Sequence, residues 1–321
     1  MNWDTTTQNW TGTSTWSNSH PDSATFGTTG VGSVSITEPI VVGNIYANTA
    51  GYSISGSSLT LNNNPTIFND ANFTISSSLA GSNGFTKDGY GVLTLSGNNT
   101  YTGDTKINIG YYGGSGLVLT GTNNTGGTYT IGDASLLQVG SASTGFDSGS
   151  INTTGINSNG KLVYDLTATS IWDFPISGYY YNGGSFDVKN GKLILLGTDS
   201  NEGRVTIFPG ATLQLGNGGT TGVLSPTYTD GGISNSGNLI FYHSTTSSMS
   251  YFSSITGNGT LEVMGGSLVL TADNLSGTTT INVGASLQIG SHGRSGNLGT
   301  SSPKVINNGT LINDRIDASS W

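Results

Sequence analysis

The chain has 321 residues, 8% of them charged, with 51 glycines, no cysteine and a formal net charge of -9. So few charges among so much Gly, Asn, Ser and Thr point to short strands and tight turns, while the lack of cysteine excludes disulfides and thiolate metal sites. Nine basic residues against eighteen acidic ones exclude a phosphate-neutralising nucleic-acid surface, and no run of about 18 apolar residues is present to span a membrane as a helix.

Residues 1–50 form a Trp-rich lead-in, "MNWDTTTQNWTGTSTW" onward, in which Trp3, Trp10 and Trp16 are placed to cap a stacked core. It opens without a basic, apolar leader, so if the protein is exported its signal peptide is absent from this sequence. Residues 51–321 read as about three imperfect copies of a repeat of roughly 75 residues. The stretch "TKDGYGVLTLSGNNTYTGDTKINIG" (Thr86 to Gly110) sets Leu93 with Leu95 and Ile107 with Ile109 on alternate positions, and Leu117 with Leu119 follow. The segment "LQVGSASTGFDSG" from Leu137 returns as "LQLGNGGTTGVLS" from Leu213 and "LQIGSHGRSGNLG" from Leu287. Asn/Gly turns open strands at "SNGKLVYD" (Ser158), "NSGNLIFY" (Asn235) and "NNGTLIND" (Asn307). Glycine-punctuated strand pairs recur at Phe186 and Leu261, and the second runs on through Leu268 and Leu270, Ile281 and Val283, and Leu287 and Ile289. Alternation puts each such pair on one face.

The L-x-L units do not sit directly either side of two-residue turns, as a hairpin meander requires. Spaced about 10 to 25 residues apart, they instead fit a chain that winds, each strand pairing with the one a coil below. The expected fold is all-β, a parallel β-helix, with asparagines stacking in ladders at the turns.

Thr86 to Gly110 resembles the passenger-associated repeat of bacterial autotransporters and related surface proteins, matching nearly in full there and in part over Leu261 to Ile289. The resemblance implies a right-handed parallel β-helix, secreted or displayed on a bacterial cell surface, that serves as a stalk, adhesin or scaffold. It carries no catalytic residues to transfer, and the C-terminal membrane barrel of autotransporters has no counterpart in this sequence. "KLVYDLTATSIW" (Lys161 to Trp172) aligns without gaps to "TLINDRIDASSW" (Thr310 to Trp321), after which the second copy stops. Either the sequence is a fragment of a longer array, or the rod ends on an unfinished coil, and the second case predicts head-to-tail stacking of copies into a filament.

Chemical alternatives have weaker support. Glycine-rich "DGYG" and "GSHGRSG" lack the Lys-Ser/Thr and following helix of a phosphate loop. His20, His243 and His292 stand far apart, each expected as a lone surface residue rather than a metal ligand. Asp165, Asp173 and Asp187, with Lys189 and Glu202 nearby, are the densest candidates for a polysaccharide-acting β-helix enzyme, but they read as solvated turn residues. No enzyme and no cofactor is expected. For recognition of a glycan or other partner the aromatic run "IWDFPISGYYYNGG" is the candidate, through Trp172, Tyr179, Tyr180 and Tyr181, although alternate aromatics on strands are more commonly core or ladder-stacking residues. Tyr242, Tyr251 and Phe252 fall at related positions in the next copy, which would line aromatics up along the rod.

Overall fold

A computed structural model describes the chain except for residues 11–13, 111–112, 125, 146, 179–183, 201–202, 225–231, 252, 273–276, 299–303 and 317–321. The chain divides into two compact units, one formed by Met1–Val163 and the other by Tyr164–Tyr180 with Gly184–Trp321. Each unit is a parallel β-solenoid, and apart from one short 3-10 turn at Ala142–Thr144 the regular structure among the described residues is all strand.

In the first unit each coil lays strands in turn on three sides. One sheet stacks Ser33–Ile36, Ser53–Gly56, Phe73–Ile75, Val92–Leu95, Gly116–Leu119 and Leu136–Val139. Another stacks Ala24–Phe26, Ile45–Ala47, Thr66–Asn69, Phe85–Asp88, Thr105–Ile107 and Thr128–Ile131. The side between them is built from shorter strands such as Ile40–Val42, Leu59–Leu61 and Leu79–Ala80. In-register pairing turns alternation into core columns, because each inward side chain lies over its partner a coil away. One column runs Phe73, Leu93, Leu117 and Leu137, and its neighbour Ile75, Leu95, Leu119 and Val139. All eight are at most 2% exposed, so at about 1.5–3 kcal/mol each the stabilisation is spread along the stack rather than held at one residue.

Of the expected lead-in, residues 24–47 already supply strands of the stacked sheets, and the chain before them packs its tryptophans on the first coil. Strand Asn2–Trp3 pairs with Ser35 and Ile36, burying Trp3 completely. Trp10 and Trp16 pack against its indole at 5.3 and 5.0 Å, and Trp16 Nε1 donates to Val41 O at 3.0 Å. Asp4 fastens the following turn by accepting from the amides and hydroxyls of Thr6 and Thr7, and the Thr7 bonds contribute most to lowering its carboxyl to about 2.

In the second unit one sheet stacks Thr169–Trp172, Lys192–Leu195, Thr212–Gly219, Asn238–His243, Thr260–Gly265, Thr279–Ile281 and Val305–Asn307. The next side of the later coils carries Ser248–Tyr251, Ser267–Leu270, Ser286–Gly293 and Thr310–Arg315. Leu268, Leu270, Ile281, Leu287 and Ile289 are buried, as alternation requires. Val283 is not an inward partner of Ile281. It is 83% exposed, because the strand ends at Ile281 and the chain has already turned. The side chain of Ile109 lies outside the described set.

Candidate functional site

The motif at residues 85–110 is built for stacking. Strand Phe85–Asp88 places Lys87 inward, in register with Ile67 below and Ile107 above. Lys87 is fully buried in that column. Its Nζ donates to Asp88 O at 2.6 Å, Gly89 O at 3.0 Å and Ser115 Oγ at 2.7 Å, which meets an ammonium's three-donor requirement without a carboxylate. Burial drives the amine down to about 8, a shift that the charges of Asp88 and Asp70 oppose. This buried cation was missed in the sequence. The signal was there, since Phe85 and Lys87 are two apart on one strand and so share a face.

Asn99 supplies the expected ladder. Its Oδ1 accepts from Leu79 N at 2.9 Å and its Nδ2 donates to Asn123 Oδ1 at 2.8 Å, one coil on. Asn123 Nδ2 in turn donates to Gly121 O and Ser150 O. Tyr101, completely buried, has its hydroxyl 2.7 Å from Thr105 Oγ1 and 3.2 Å from that of Tyr129, and burial raises its phenol well above the ordinary value.

On the outside of the same motif an open groove of about 340 Å³ is lined by Asn64, Phe85, Thr86, Gly103, Asp104 and Lys106. Asn64 and Asp104 are already used as braces between coils. Asn64 Oδ1 accepts from Gly84 N at 3.0 Å, and Asp104 Oδ1 accepts from Thr128 N and Oγ1 at 2.9 and 2.8 Å. Those Thr128 bonds, and secondarily Lys106, hold the Asp104 carboxyl below its usual value. Phe85 is buried, so the groove offers no exposed aromatic platform.

The aromatic candidates separate. Trp172 is 2% exposed and stacks on Phe186 at 5.9 Å and 10°, with Tyr164 edge-on at 5.9 Å and Phe174 at 5.4 Å. It is a core residue whose ring faces are taken by neighbours, because it is the inward member of a strand paired with Leu195. Tyr179, Tyr180 and Tyr181 lie outside the described residues, as does Phe252. Of the second set, Tyr242 lies in the same sheet as Trp172 and Tyr251 in a different one, so the set does not line up along one side as a group.

The carboxylates are not solvated turn decoration throughout. Asp165 is completely buried and accepts from Asn190 Nδ2 at 2.6 Å, and Asp187 is 3% exposed and accepts from Ser185 Oγ at 3.0 Å. Asp173 is exposed, and Glu202 lies outside the described residues. His243 is likewise inside, 6% exposed, with its pKa lowered by burial and Nε2 without a partner. His292 is at the surface, with Nδ1 2.9 Å from Asp314 Oδ2. Among the described residues no group of three or more His, Cys, Asp or Glu gathers to hold a metal. No described helix is long and apolar enough to cross a membrane.

The passenger-associated-transport-repeat family matches at residues 85–110 and 265–289, the two segments whose leucines fill core columns in the two units. An autotransporter adhesin, BmaC, of Brucella suis biovar 1 (strain 1330) is 31% identical over 220 residues, which cover 66% of this chain and 6% of that protein. The chain therefore spans a small part of the length of its curated relative. No solved structure matches it.

Proposed function

We propose that this chain, a member of the passenger-associated-transport-repeat family, is displayed outside a bacterial cell and serves there as an adhesive or structural solenoid. The observation that carries the reading is that each unit has its own in-register core columns, and that these run through the segments that match the family. A fold of this kind holds its surface side chains at fixed spacing and leaves little flexible backbone for proteases. An adhesin among its relatives favours the adhesive form over the inert stalk. The reading is non-enzymatic. In its support, the acidic residues Asp165 and Asp187 are buried and accept hydrogen bonds from Asn190 and Ser185.

The test is adhesion of latex beads coated with the full chain to cultured epithelial cells. Capture several-fold above albumin-coated beads is expected. Capture no better than albumin would leave the stalk and remove the adhesin.

A further inference from the structure

The second unit shows how the sequence repeat and the coil are related. Parallel register carries Leu213 to Leu239, Leu239 to Leu261 and Leu261 to Thr279, which is three coils within one sheet. The sequence equivalent of Leu213, however, is Leu287, on the next strand of the next sheet. The same holds for Leu193, whose column runs to Leu213, Leu239 and Leu261 while its equivalent Leu268 lies one strand on. It holds again for Leu239 and Leu311. One repeat is thus three coils plus one strand, and equivalent features move round by one sheet at each copy.

The feature that moves most conspicuously is a loop. In "LQLGNGGTTG", Gln214 Nε2 donates to Gly216 O at 2.8 Å, and in "LQIGSHGRSG" Gln288 Nε2 donates to Gly290 O at 3.0 Å. Gly216 and Gly290 have φ of 80° and 83°, and each starts an excursion that ends at a second left-handed glycine, Gly222 or Gly296. A Cβ on either closing glycine would run into the backbone of its opening glycine and the carbonyl of Leu195 or Leu270 one coil below. Each neck is also held from the following coil at one equivalent position: Gly219 pairs in register with His243 and Gly293 with Arg315, whose Nη1 also donates to Gly296 O at 2.8 Å. In the first unit Gln138 Nε2 donates to Gly140 O at 2.8 Å and opens the corresponding loop to Gly149. The glycine necks recur while the segments between them, 141–148, 217–221 and 291–295, differ in residues and, for 141–148, in length. In the second unit each is a bulge whose first three residues continue the strand Thr212–Gly219 or Ser286–Gly293 before the chain turns back to its neck.

Residues 217 and 220–221, and 291–292 and 294–295, are exposed on these bulges and differ between the copies, and a rigid neck holding an exposed segment is an arrangement by which scaffolds carry recognition. The tip chemistry narrows the ligand. Residues 217–221 are Asn, Gly and Thr without charge, and 291–295 add Arg294 and His292, the latter paired with Asp314. Amides and hydroxyls on glycine-rich backbone suit a hydroxyl-bearing ligand and give a polyanion little to hold. Because the two tips of the second unit emerge from different sheets, a flexible chain reaches both more readily than a flat, rigid partner does.

We propose that the glycine-necked loops are the recognition elements of the protein and that they bind neutral glycan chains, an inference that rests on the adhesive reading above. The experiment compares the full chain with a variant carrying Asn217→Ala, Thr220→Ala, Thr221→Ala, Ser291→Ala, Arg294→Ala and Ser295→Ala. It uses an array of galactose-, mannose- and N-acetylglucosamine-terminated oligosaccharides beside sialylated and sulfated ones, together with the bead assay. A control changes Thr86 and Thr130, on the wall of the first unit, to Ala. The expected result is binding of neutral glycans that falls about ten-fold or more in the loop variant and holds in the control, with melting temperatures within about 2 °C. Beads that adhere while no neutral glycan binds, or while the loop variant binds undiminished, overturn the loop assignment and spare the adhesive reading. Preference for the sialylated or sulfated glycans overturns the ligand class, and adhesion that survives periodate treatment of the cells points to a protein partner and does the same. Beads that do not adhere at all remove the adhesive reading, and this inference with it.

Discussion

The ammonium of Lys87 lies 2.7 Å from the hydroxyl of Ser115, inside a column in which its neighbours above and below are Ile107 and Ile67. Two carbonyl oxygens complete its shell, so the charge is satisfied by dipoles at a site with no access to water. Truncation by Lys87→Ala leaves a cavity and three unpartnered acceptors, and should lower stability by about 3 kcal/mol in urea unfolding. A cost below about 1 kcal/mol would mean that water or a neighbour refills the cage.

The same residue sets a pH dependence. Its folded-state pKa, about 8, is depressed from 10.5, so protonation is penalised in the folded protein and the unfolded chain holds more protons between those values. Stability of the wild type relative to Lys87→Met should therefore rise as pH climbs from 8 toward 10.5. Parallel unfolding curves for the two proteins at pH 7.5 and 10 supply the check, and a constant gap between them would contradict a depressed amine.

Asn99 is oriented by demand from both sides. Its oxygen serves Leu79 N and its amide serves Asn123 Oδ1, while the Asn123 amide is committed to Gly121 and Ser150. Asn99→Leu should cost about 1–3 kcal/mol. Asn99→Asp should cost more, because a carboxylate would face Asn123 Oδ1 with no donor between them. Thermal unfolding of both variants at neutral pH tests the order, and an Asp variant as stable as the wild type would show that the ladder can reverse.

Trp172 should behave as core. Trp172→Ala removes the ring stacked on Phe186 and is expected to cost about 3–5 kcal/mol, while Trp172→Phe keeps part of the packing and costs less. If Trp172→Ala instead left the urea midpoint unchanged, the indole would have to lie outside the core.

His243 makes one loop neck sensitive to acid. Burial lowers its pKa, and Nε2 has no acceptor for a second proton, so the unfolded chain takes up protons first as pH falls below about 6.5. Stability should drop through that window in the wild type. His243→Arg, which installs the residue found at the equivalent neck position 315, should flatten that dependence. Melting temperatures from pH 7.5 to 5 measure it, and equal slopes for the two proteins would dismiss His243 as the cause.

Much of this molecule was legible in its residues. Leu93, Leu95, Leu117 and Leu119 announce strands with one buried face, and their spacing announces winding, because alternation and turn chemistry are local properties. The motif at 85–110 carried the family for the same reason. Local pattern has no means of saying which coil a segment lands on or which sheet it joins. That depends on the summed lengths of every intervening coil, and those vary: Leu213 pairs with Leu239, but Leu261 already pairs with Thr279. Hence the copies looked aligned along one side when they rotate by one sheet, and Trp172 looked like a platform when its partner strand draws it inward. Asp165 and His243 read as surface residues by type, yet register buries them, as it buries Lys87 between Ile67 and Ile107. The loops after Gly140, Gly216 and Gly290 were visible as a recurring phrase. Their necks, latches and differing directions come only from the stacking of one coil on the next.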